Sequence, residues 1–294
     1  MSSYYGRPIL KEPTWTPEVP LYFFTGGIAG ASSVLHGVAR VTGNERLART
    51  SLFLGAAADV VSPALLISDL GRPERFLNML RVFKVTSPMS VGSWILFVSG
   101  GASGTAAALE LLGIAKPLKA LAEAASFAAG PPLATYTGAL IANTSIPVWS
   151  EARDELPWLF GASAAASAGA AAALVTPREA AGPARRAAIG GVVTELAIAE
   201  RMRRRLGFVG EVYEQGEAGR FLKISQACTA AGAGLLVLRG KRSRFATAAG
   251  STLVLAGELA LRWSVFKAGF QSARDPRYTV LPQKERRERP GARA

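Results

Sequence analysis

Eight long apolar stretches, separated by short polar and basic segments, dominate this chain. A helix that crosses the roughly 30 Å hydrocarbon core of a bilayer needs about 20 mostly apolar residues, and its backbone must satisfy its own hydrogen bonds. The stretches therefore predict an all-α protein, a polytopic membrane helical bundle of about eight transmembrane helices. The third, fifth and eighth are the clearest, and Arg and Glu residues make the sixth the weakest. The stretches are 20–39, 51–68, 91–113, 118–142, 157–176, 184–200, 221–238 and 245–266.

The composition agrees with a membrane protein. Apolar residues make up 49% of the 294 positions and charged residues only 19%, less than the roughly 25% of an ordinary globular protein. A polar N-terminal segment, 1–19, precedes the predicted bundle at 20–266, and a basic tail, 267–294, follows it. The net charge of +13 is spread between apolar stretches and not along one polar face, so we expect membrane lipid and not nucleic acid as a partner.

Lys and Arg are distributed unequally between the two sides of the predicted bundle. The side that carries both chain termini holds 21 of them, eight in the C-terminal tail, and the opposite side holds 12. Because loops rich in Lys and Arg remain in the cytoplasm, this bias predicts cytoplasmic termini and a multi-pass location in the plasma (cytoplasmic) membrane.

One cysteine, Cys228, and one histidine, His36, restrict the redox chemistry of the chain. They exclude an internal disulfide, and they cannot build an iron–sulfur cluster or a Cys₄ zinc site from this chain alone. A transmembrane b-type haem usually takes a pair of His ligands, so we expect no haem and no metal site. A redox cofactor must then be held by a partner or be diffusible, as a quinone is.

Four ionisable residues interrupt the apolar stretches: Asp59, Glu195, Glu258 and Arg262. Each costs roughly 2.5–3.5 kcal/mol at the centre of a bilayer on insertion scales, so each is a functional candidate. Glu258 and Arg262 lie four residues apart on one helix face, and an internal salt bridge is the preferred interpretation. Asp59 has no sequence-local cation, which slightly favours a proton-relay or buried hydrogen-bond role.

Two segments carry the clearest local signals. In the first, Asp69 ends the second stretch and Pro73 prevents the helix from continuing, so Asp69 and Arg72 are expected near the membrane boundary. In the second, Gly130-Pro-Pro132 predicts a break in the fourth stretch, just before Tyr136. A tyrosine hydroxyl beside such a break could donate to a carbonyl, although an interfacial aromatic is the commoner role.

These motifs, in this order, resemble the NrfD/PsrC family, the integral membrane subunits of polysulfide reductase-like molybdenum oxidoreductase complexes. The resemblance extends from Tyr5 to about Gly269. It is carried by Pro20-Leu-Tyr-Phe-Phe-Thr-Gly-Gly27, Asp69-Leu-Gly-Arg-Pro73, Ser87-Pro-Met-Ser-Val-Gly-Ser-Trp94, Tyr136-Thr-Gly138, Pro147-Val-Trp149 and Arg262.

The resemblance implies a helical bundle with no catalytic cofactor of its own, which binds a quinone (menaquinone or ubiquinone) near the membrane surface. It implies a four-cluster ferredoxin-like iron–sulfur subunit and a molybdopterin catalytic subunit as partners. The family tyrosine that binds a quinone carbonyl corresponds to Tyr136, and the family acid that ends the second span corresponds to Asp69. Tyr22 or Glu18 takes the place of a polar residue near the start of the first span.

Further roles follow as hypotheses from the residues themselves. Asn143, seven residues after Tyr136, is expected on the same helix face and could complete the pocket, while Arg72 would keep Asp69 ionised or orient it. Asp59, Glu195, Glu258 and Arg262 would form a proton path.

Two other functions compete with a quinone-binding subunit. An ion- or proton-coupled transporter suits charged residues in spans, but transporters commonly break helices at matching places in two halves, and the eighth stretch has no Pro. A bare membrane anchor would have no use for Asp59.

Overall fold

The computed structural model describes residues 8–288, and every regular element in that range is helical. The predicted all-α bundle is confirmed, and each of the eight stretches lies on its own long helix. Tyr5, where the family resemblance begins, lies outside the described residues. The long helices are α1 (Glu18–Val41), α2 (Glu45–Asp69), α3 (Pro88–Leu112), α4 (Lys116–Ala142), α6 (Leu156–Val175), α7 (Gly182–Leu206), α8 (Gly216–Leu238) and α9 (Arg244–Arg274).

Shorter elements lie between and after these helices. They are α5 (Pro147–Glu151), α10 (Arg277–Glu288) and two 3₁₀ segments, Pro73–Leu80 and Gly207–Glu214. Helix α9 continues through Arg274, so the first part of the predicted basic tail belongs to the last long helix.

By length and composition, four helices within the described range are apolar enough to cross a membrane: α2, α3, α6 and α8. The third and fifth stretches, on α3 and α6, are among them. The eighth stretch was predicted as one of the clearest, but its helix, α9, is not among the four. Glu258 and Arg262 in the centre of α9 lower its apolar character. Both of these side chains are buried among neighbouring helices, so their polar groups face the bundle and not the lipid.

One end of the bundle carries the start of α1 and the end of α9, and we call it the terminal face. There Arg274, at the end of α9, pairs with Glu12 at 2.9 Å, and this hydrogen-bonded guanidinium holds the pKa of the Glu12 carboxyl below its usual range. Trp149 of α5 stacks on Trp15 with ring centroids 5.4 Å apart and donates its indole N–H to the Val265 carbonyl at 2.8 Å. These contacts fix the segment before α1 against α5 and α9.

The helices form two groups of four, α1–α4 and α6–α9, and α6 joins them. Helix α6 contacts α1 and α4 in the first group and α7 and α9 in the second. Most of its Ala-, Ser- and Gly-rich sequence is buried. A side-chain carbon on Gly169 would meet the backbone of α7 at Ala184 and Ala188. Small residues thus permit close helix contact where no hydrophobic effect drives association.

Helix α4 is continuous through Pro131 and Pro132, so the predicted break is wrong. The surrounding helices explain the difference. Gly130 lies directly against Gly30 of α1, and this contact holds α4 in place although the prolines lack the N–H groups of two helical hydrogen bonds. Neither α4 nor α9 is interrupted, so the paired broken helices typical of many transporters are absent from these two helices.

The contact between α1 and α4 predicts a strong size limit at Gly30. A Cβ there would lie 2.5 Å from the Gly130 carbonyl oxygen and 2.7 Å from the Ala134 nitrogen. We expect Gly30→Ala to lower the free energy of unfolding by about 1–3 kcal/mol, because backbone atoms must move apart. Thermal unfolding in detergent measures the effect.

Gly104→Ala is the matched control, since nothing lies within 4 Å of a Cβ at that exposed helical position. Equal stability of the two variants would contradict the proposed packing.

Candidate functional site

Two tyrosines from different helices meet near the terminal face. Tyr22 of α1 is fully buried, Tyr136 of α4 is half-buried, and their rings are steeply inclined with centroids 6.5 Å apart. Gly92 of α3 lies against the Tyr136 ring, and a Cβ at this glycine would overlap the ring. The Ser87–Trp94 motif therefore contributes a glycine that makes room for Tyr136.

Unpartnered polar atoms lie beside this tyrosine pair. The Tyr22 hydroxyl and Glu18 Oε2 are buried, and neither has a hydrogen-bond partner among the described residues. Glu18 precedes Tyr22 by one helical turn on α1, so both lie on one face of the helix. Because a buried polar atom without a partner costs about 1–3 kcal/mol, this place favours a polar ligand or water.

Asp69 connects the end of α2 to the start of α1. Its Oδ1 accepts hydrogen bonds from the Thr16 backbone N–H at 3.2 Å and from the Thr16 hydroxyl. The predicted ion pair with Arg72 is wrong: in the described part of the chain Asp69 has no cationic partner, and Arg72 is exposed. The backbone is extended at Leu70 and again at Arg72, which leads the arginine away from the end of the helix.

Asn143 is exposed at the C-terminal cap of α4. It lies seven residues beyond Tyr136, a distance of about 10 Å along the helix axis. Its participation in the same pocket stays a prediction.

An apolar groove of about 640 Å³ lies between α3 and α4 and leads toward Tyr136. Trp94, Ile95 and Pro132 line it, and Pro132 precedes Tyr136 by one turn. The Trp94 indole nitrogen is buried without a partner among the described residues. Trp94 ends the Ser87–Trp94 motif, but the sequence did not predict that it would line a groove.

Asp59 is buried between α2 and α3. Its Oδ2 accepts hydrogen bonds from the hydroxyls of Ser99 at 3.0 Å and Ser103 at 2.6 Å. Sequence reasoning missed these serines, which lie four residues apart on one face of an apolar helix. Asp59 Oδ1 has no partner in the described range, so a second donor could still bind it.

Arg262 and Glu258 do not form the internal salt bridge that their spacing predicted. The guanidinium donates to the Phe160 carbonyl at 3.0 Å and lies 3.8 Å above the Phe160 ring, while Ser163 donates to Glu258 at 2.6 Å. Both residues are therefore bound by α6. Gly27 of α1 leaves space for the guanidinium, since a Cβ there would be 3.4 Å from Arg262 Nη2.

Glu195 of α7 completes this inner cluster. Its carboxyl group faces that of Glu258 at hydrogen-bonding range, and such a contact between two carboxyls requires a shared proton. Both side chains and that of Arg262 are at most 1% exposed. We call these three residues the acidic cluster. One oxygen of each carboxyl and two guanidinium nitrogens have no partner in the described part of the chain.

The remaining titratable groups between residues 8 and 288 form no metal site. No set of three or more His, Cys, Asp or Glu side chains in that range is arranged to hold a metal ion.

The fold and these sites define an integral membrane protein, a multi-pass bundle with polar groups in its interior. The chain belongs to the NrfD family: the family model for polysulphide reductase, NrfD, matches residues 11–209. The protein is therefore a membrane subunit of the polysulfide reductase-like oxidoreductase complexes. The match covers Tyr22, Asp69, Tyr136 and Glu195 and ends before Glu258 and Arg262. No curated protein matches the chain.

Proposed function

We propose that this chain is the quinone-binding membrane subunit of its complex. It exchanges electrons between an iron–sulfur partner and the membrane quinone pool. The observation that carries the proposal is the set of polar atoms near the terminal face: the unpartnered Tyr22 hydroxyl and Glu18 Oε2 beside the ring of Tyr136.

The residues present fit a quinone, menaquinone or ubiquinone. A quinone has two carbonyl oxygens on opposite edges of a flat apolar ring, so it needs separated donors and an apolar approach. The hydroxyls of Tyr136 and Tyr22 are such donors, and the Glu18 carboxylate can accept a hydrogen bond from the hydroxyl of the reduced quinone. The apolar groove between α3 and α4 is open toward the lipid and suits an isoprenoid tail.

Each residue has a defined task in the proposal. Tyr136 donates a hydrogen bond to one carbonyl and Tyr22 donates to the other, while Glu18 accepts from the hydroxyl of the reduced quinone. Asp69 exchanges protons at the terminal face while it holds the start of α1 through Thr16. A bound quinone would supply the two-electron, two-proton chemistry. Arg72 and Asn143, both exposed, would contribute only at the outer edge of the site.

Protons would move inward through buried acids in both halves of the bundle. Asp59, with its two serine donors, serves the first half. Glu195, Glu258 and Arg262 serve the second half. Their unpartnered atoms support this role, because a fully satisfied internal network would have no vacant donor or acceptor for a moving proton.

The partners proposed are a four-cluster ferredoxin-like iron–sulfur subunit and a molybdopterin catalytic subunit. The iron–sulfur subunit would dock on the terminal face, since electron transfer needs the quinone site close to that partner. The excess of Lys and Arg on this face supports a cytoplasmic orientation for it, with the bundle in the plasma membrane.

Isolation of the tagged chain in mild detergent tests the complex. We expect an iron–sulfur protein and a large molybdopterin-type subunit to copurify in fixed ratio, identified by mass spectrometry and by molybdenum content. Reproducible recovery of the folded chain alone would contradict the proposed partners.

Tyr136→Phe tests the quinone contact. Loss of one hydrogen bond should raise the apparent KM for a quinol or quinone by about 5–10-fold, since such a bond contributes about 1 kcal/mol. Steady-state turnover of the complex in membrane vesicles gives the value. Tyr278→Phe, on α10 and stacked on Phe208, is the control. An unchanged KM and turnover for Tyr136→Phe would refute this role.

Two substitutions separate the structural and chemical tasks of Asp69. Asp69→Ala removes the acceptor of both Thr16 donors and should cost about 1–2 kcal/mol of stability. Asp69→Asn keeps an oxygen for Thr16 but loses the exchangeable proton. Its stability should therefore equal that of the wild type, while quinone turnover should fall at least about tenfold. Thermal unfolding and turnover are measured on both variants. Full turnover in Asp69→Asn would assign Asp69 to structure alone.

A further inference from the structure

A small cavity of about 120 Å³ lies inside the second group of helices, away from Tyr136. Its walls come from α6, α7, α8, α9 and the 3₁₀ segment Gly207–Glu214 on the terminal face. Leu159, Leu196 and Leu261 form much of the apolar wall. The cavity is largely enclosed by protein, and nothing in the proposed quinone site touches it.

Polar groups line the side of the cavity nearest the terminal face. Tyr213 is only 3% exposed, and its hydroxyl has no partner among the described residues. Burial raises the pKa of Tyr213, so at neutral pH the hydroxyl remains protonated and can donate. Glu200 and Arg203, paired at 2.7 Å and 40% and 46% exposed, line the cavity where it approaches the aqueous phase.

The inner end of the cavity points to the acidic cluster. Ala199 lines the cavity one helical turn beyond Glu195, and Leu261 lines it one turn beyond Glu258. Leu159 lies one turn before Ser163, the serine that donates to Glu258. All three wall residues lie on the terminal-face side, so about 5 Å of helix separates the cavity from the cluster.

Buried polar atoms without a hydrogen-bond partner lie both in the acidic cluster and at the cavity, and water molecules between them would provide partners. On the inner side they are Glu195 Oε2, Glu258 Oε1 and Arg262 Nε and Nη1, and on the outer side the Tyr213 hydroxyl. Buried polar atoms in native proteins are nearly always hydrogen-bonded, to ordered water where protein groups are lacking. The walls of the cavity are mostly apolar, but Tyr213 and Gln226 add polar groups to those of Glu200 and Arg203, and a cavity of this volume has room for several water molecules.

We propose that this cavity is a hydrated proton inlet that connects the terminal face with the Glu195–Glu258 pair, by a route separate from the tyrosine site. Protons pass between bulk water at Glu200 and the carboxyl pair through water held by Tyr213. No bond other than O–H or N–H forms or breaks. The inlet rests on the proposed function, because it would supply protons to the proton path described there. The existence of the inlet can nevertheless be measured without quinone.

Hydrogen–deuterium exchange at the buried carboxyls tests the inlet. Infrared spectra of the purified full chain in lipid nanodiscs are recorded after transfer to D₂O, and Glu195→Gln and Glu258→Gln identify the carboxyl C=O band of the pair. We expect this band to shift rapidly in the wild type. Ala199→Leu fills the cavity and should slow the shift by about tenfold or more, because the water is displaced.

Ala197→Leu is the matched control, since Ala197 is exposed on α7 and does not line this cavity. Tyr213→Phe, which removes a donor without adding volume, should slow the shift by a smaller factor, and this variant remains informative if Ala199→Leu fails to fold.

Hydroxyl-radical labelling gives a second readout, because Met202 lines the cavity and is otherwise buried. We expect Met202 to be oxidised in the wild type and protected in Ala199→Leu.

The outcomes are separable. A carboxyl band that does not shift in the wild type, or that shifts equally fast in Ala199→Leu and Ala197→Leu, overturns the inlet whatever the chain binds. Failure of the Tyr136→Phe or copurification experiments overturns the quinone assignment and leaves the exchange result unaffected.

Discussion

Water is absent from the interior of a bilayer, so every polar group that this chain buries must find its partner inside the bundle. The structure meets this constraint with short side chains from neighbouring helices. Ser99 and Ser103 bind Asp59, Ser163 binds Glu258, and the Phe160 carbonyl binds Arg262. Six of the sixteen buried side-chain atoms left unpartnered in the described part of the chain belong to the tyrosine site and the acidic cluster. These six stand close together in two groups, so each group offers a ligand or a proton more than one vacant donor or acceptor.

The helices and the location of the site could be predicted because both depend on sequence-local features. The length and apolar content of each stretch predict one long helix, and Asp69 followed by Pro73 marks the end of α2. Alternating helices then place the start of α1 and the ends of α2 and α4 at the same face. That topology alone brings Tyr22, Asp69 and Tyr136 to one end of the bundle.

The contacts that sequence could not predict are those made by distant helices. Spacing suggested that Arg262 would bind Glu258 on its own helix, whereas α6 offers a carbonyl and an aromatic face to the guanidinium. Two prolines suggested a break in α4, whereas the helix is continuous and Gly30 of α1 packs directly against its Gly130. In each case the deciding partner lies far away in sequence. Contacts between distant helices thus outweigh the local preferences of the sequence. This holds above all in a membrane, where small residues let helices approach closely.

The two groups of helices divide the chemistry between them. The first group holds the tyrosine site near the terminal face and Asp59 in its interior, and its groove is open at the bundle surface between α3 and α4. Within its described residues the second group has no matching tyrosine pair, but it buries two carboxyls and a guanidinium within a turn of a largely enclosed cavity that has polar groups on its outer side. In the proposed function an apolar quinone arrives from the membrane, whereas a proton arrives from water. Separate openings for the two would follow from this difference, because a single channel wide and apolar enough for an isoprenoid chain would not retain the water that carries protons.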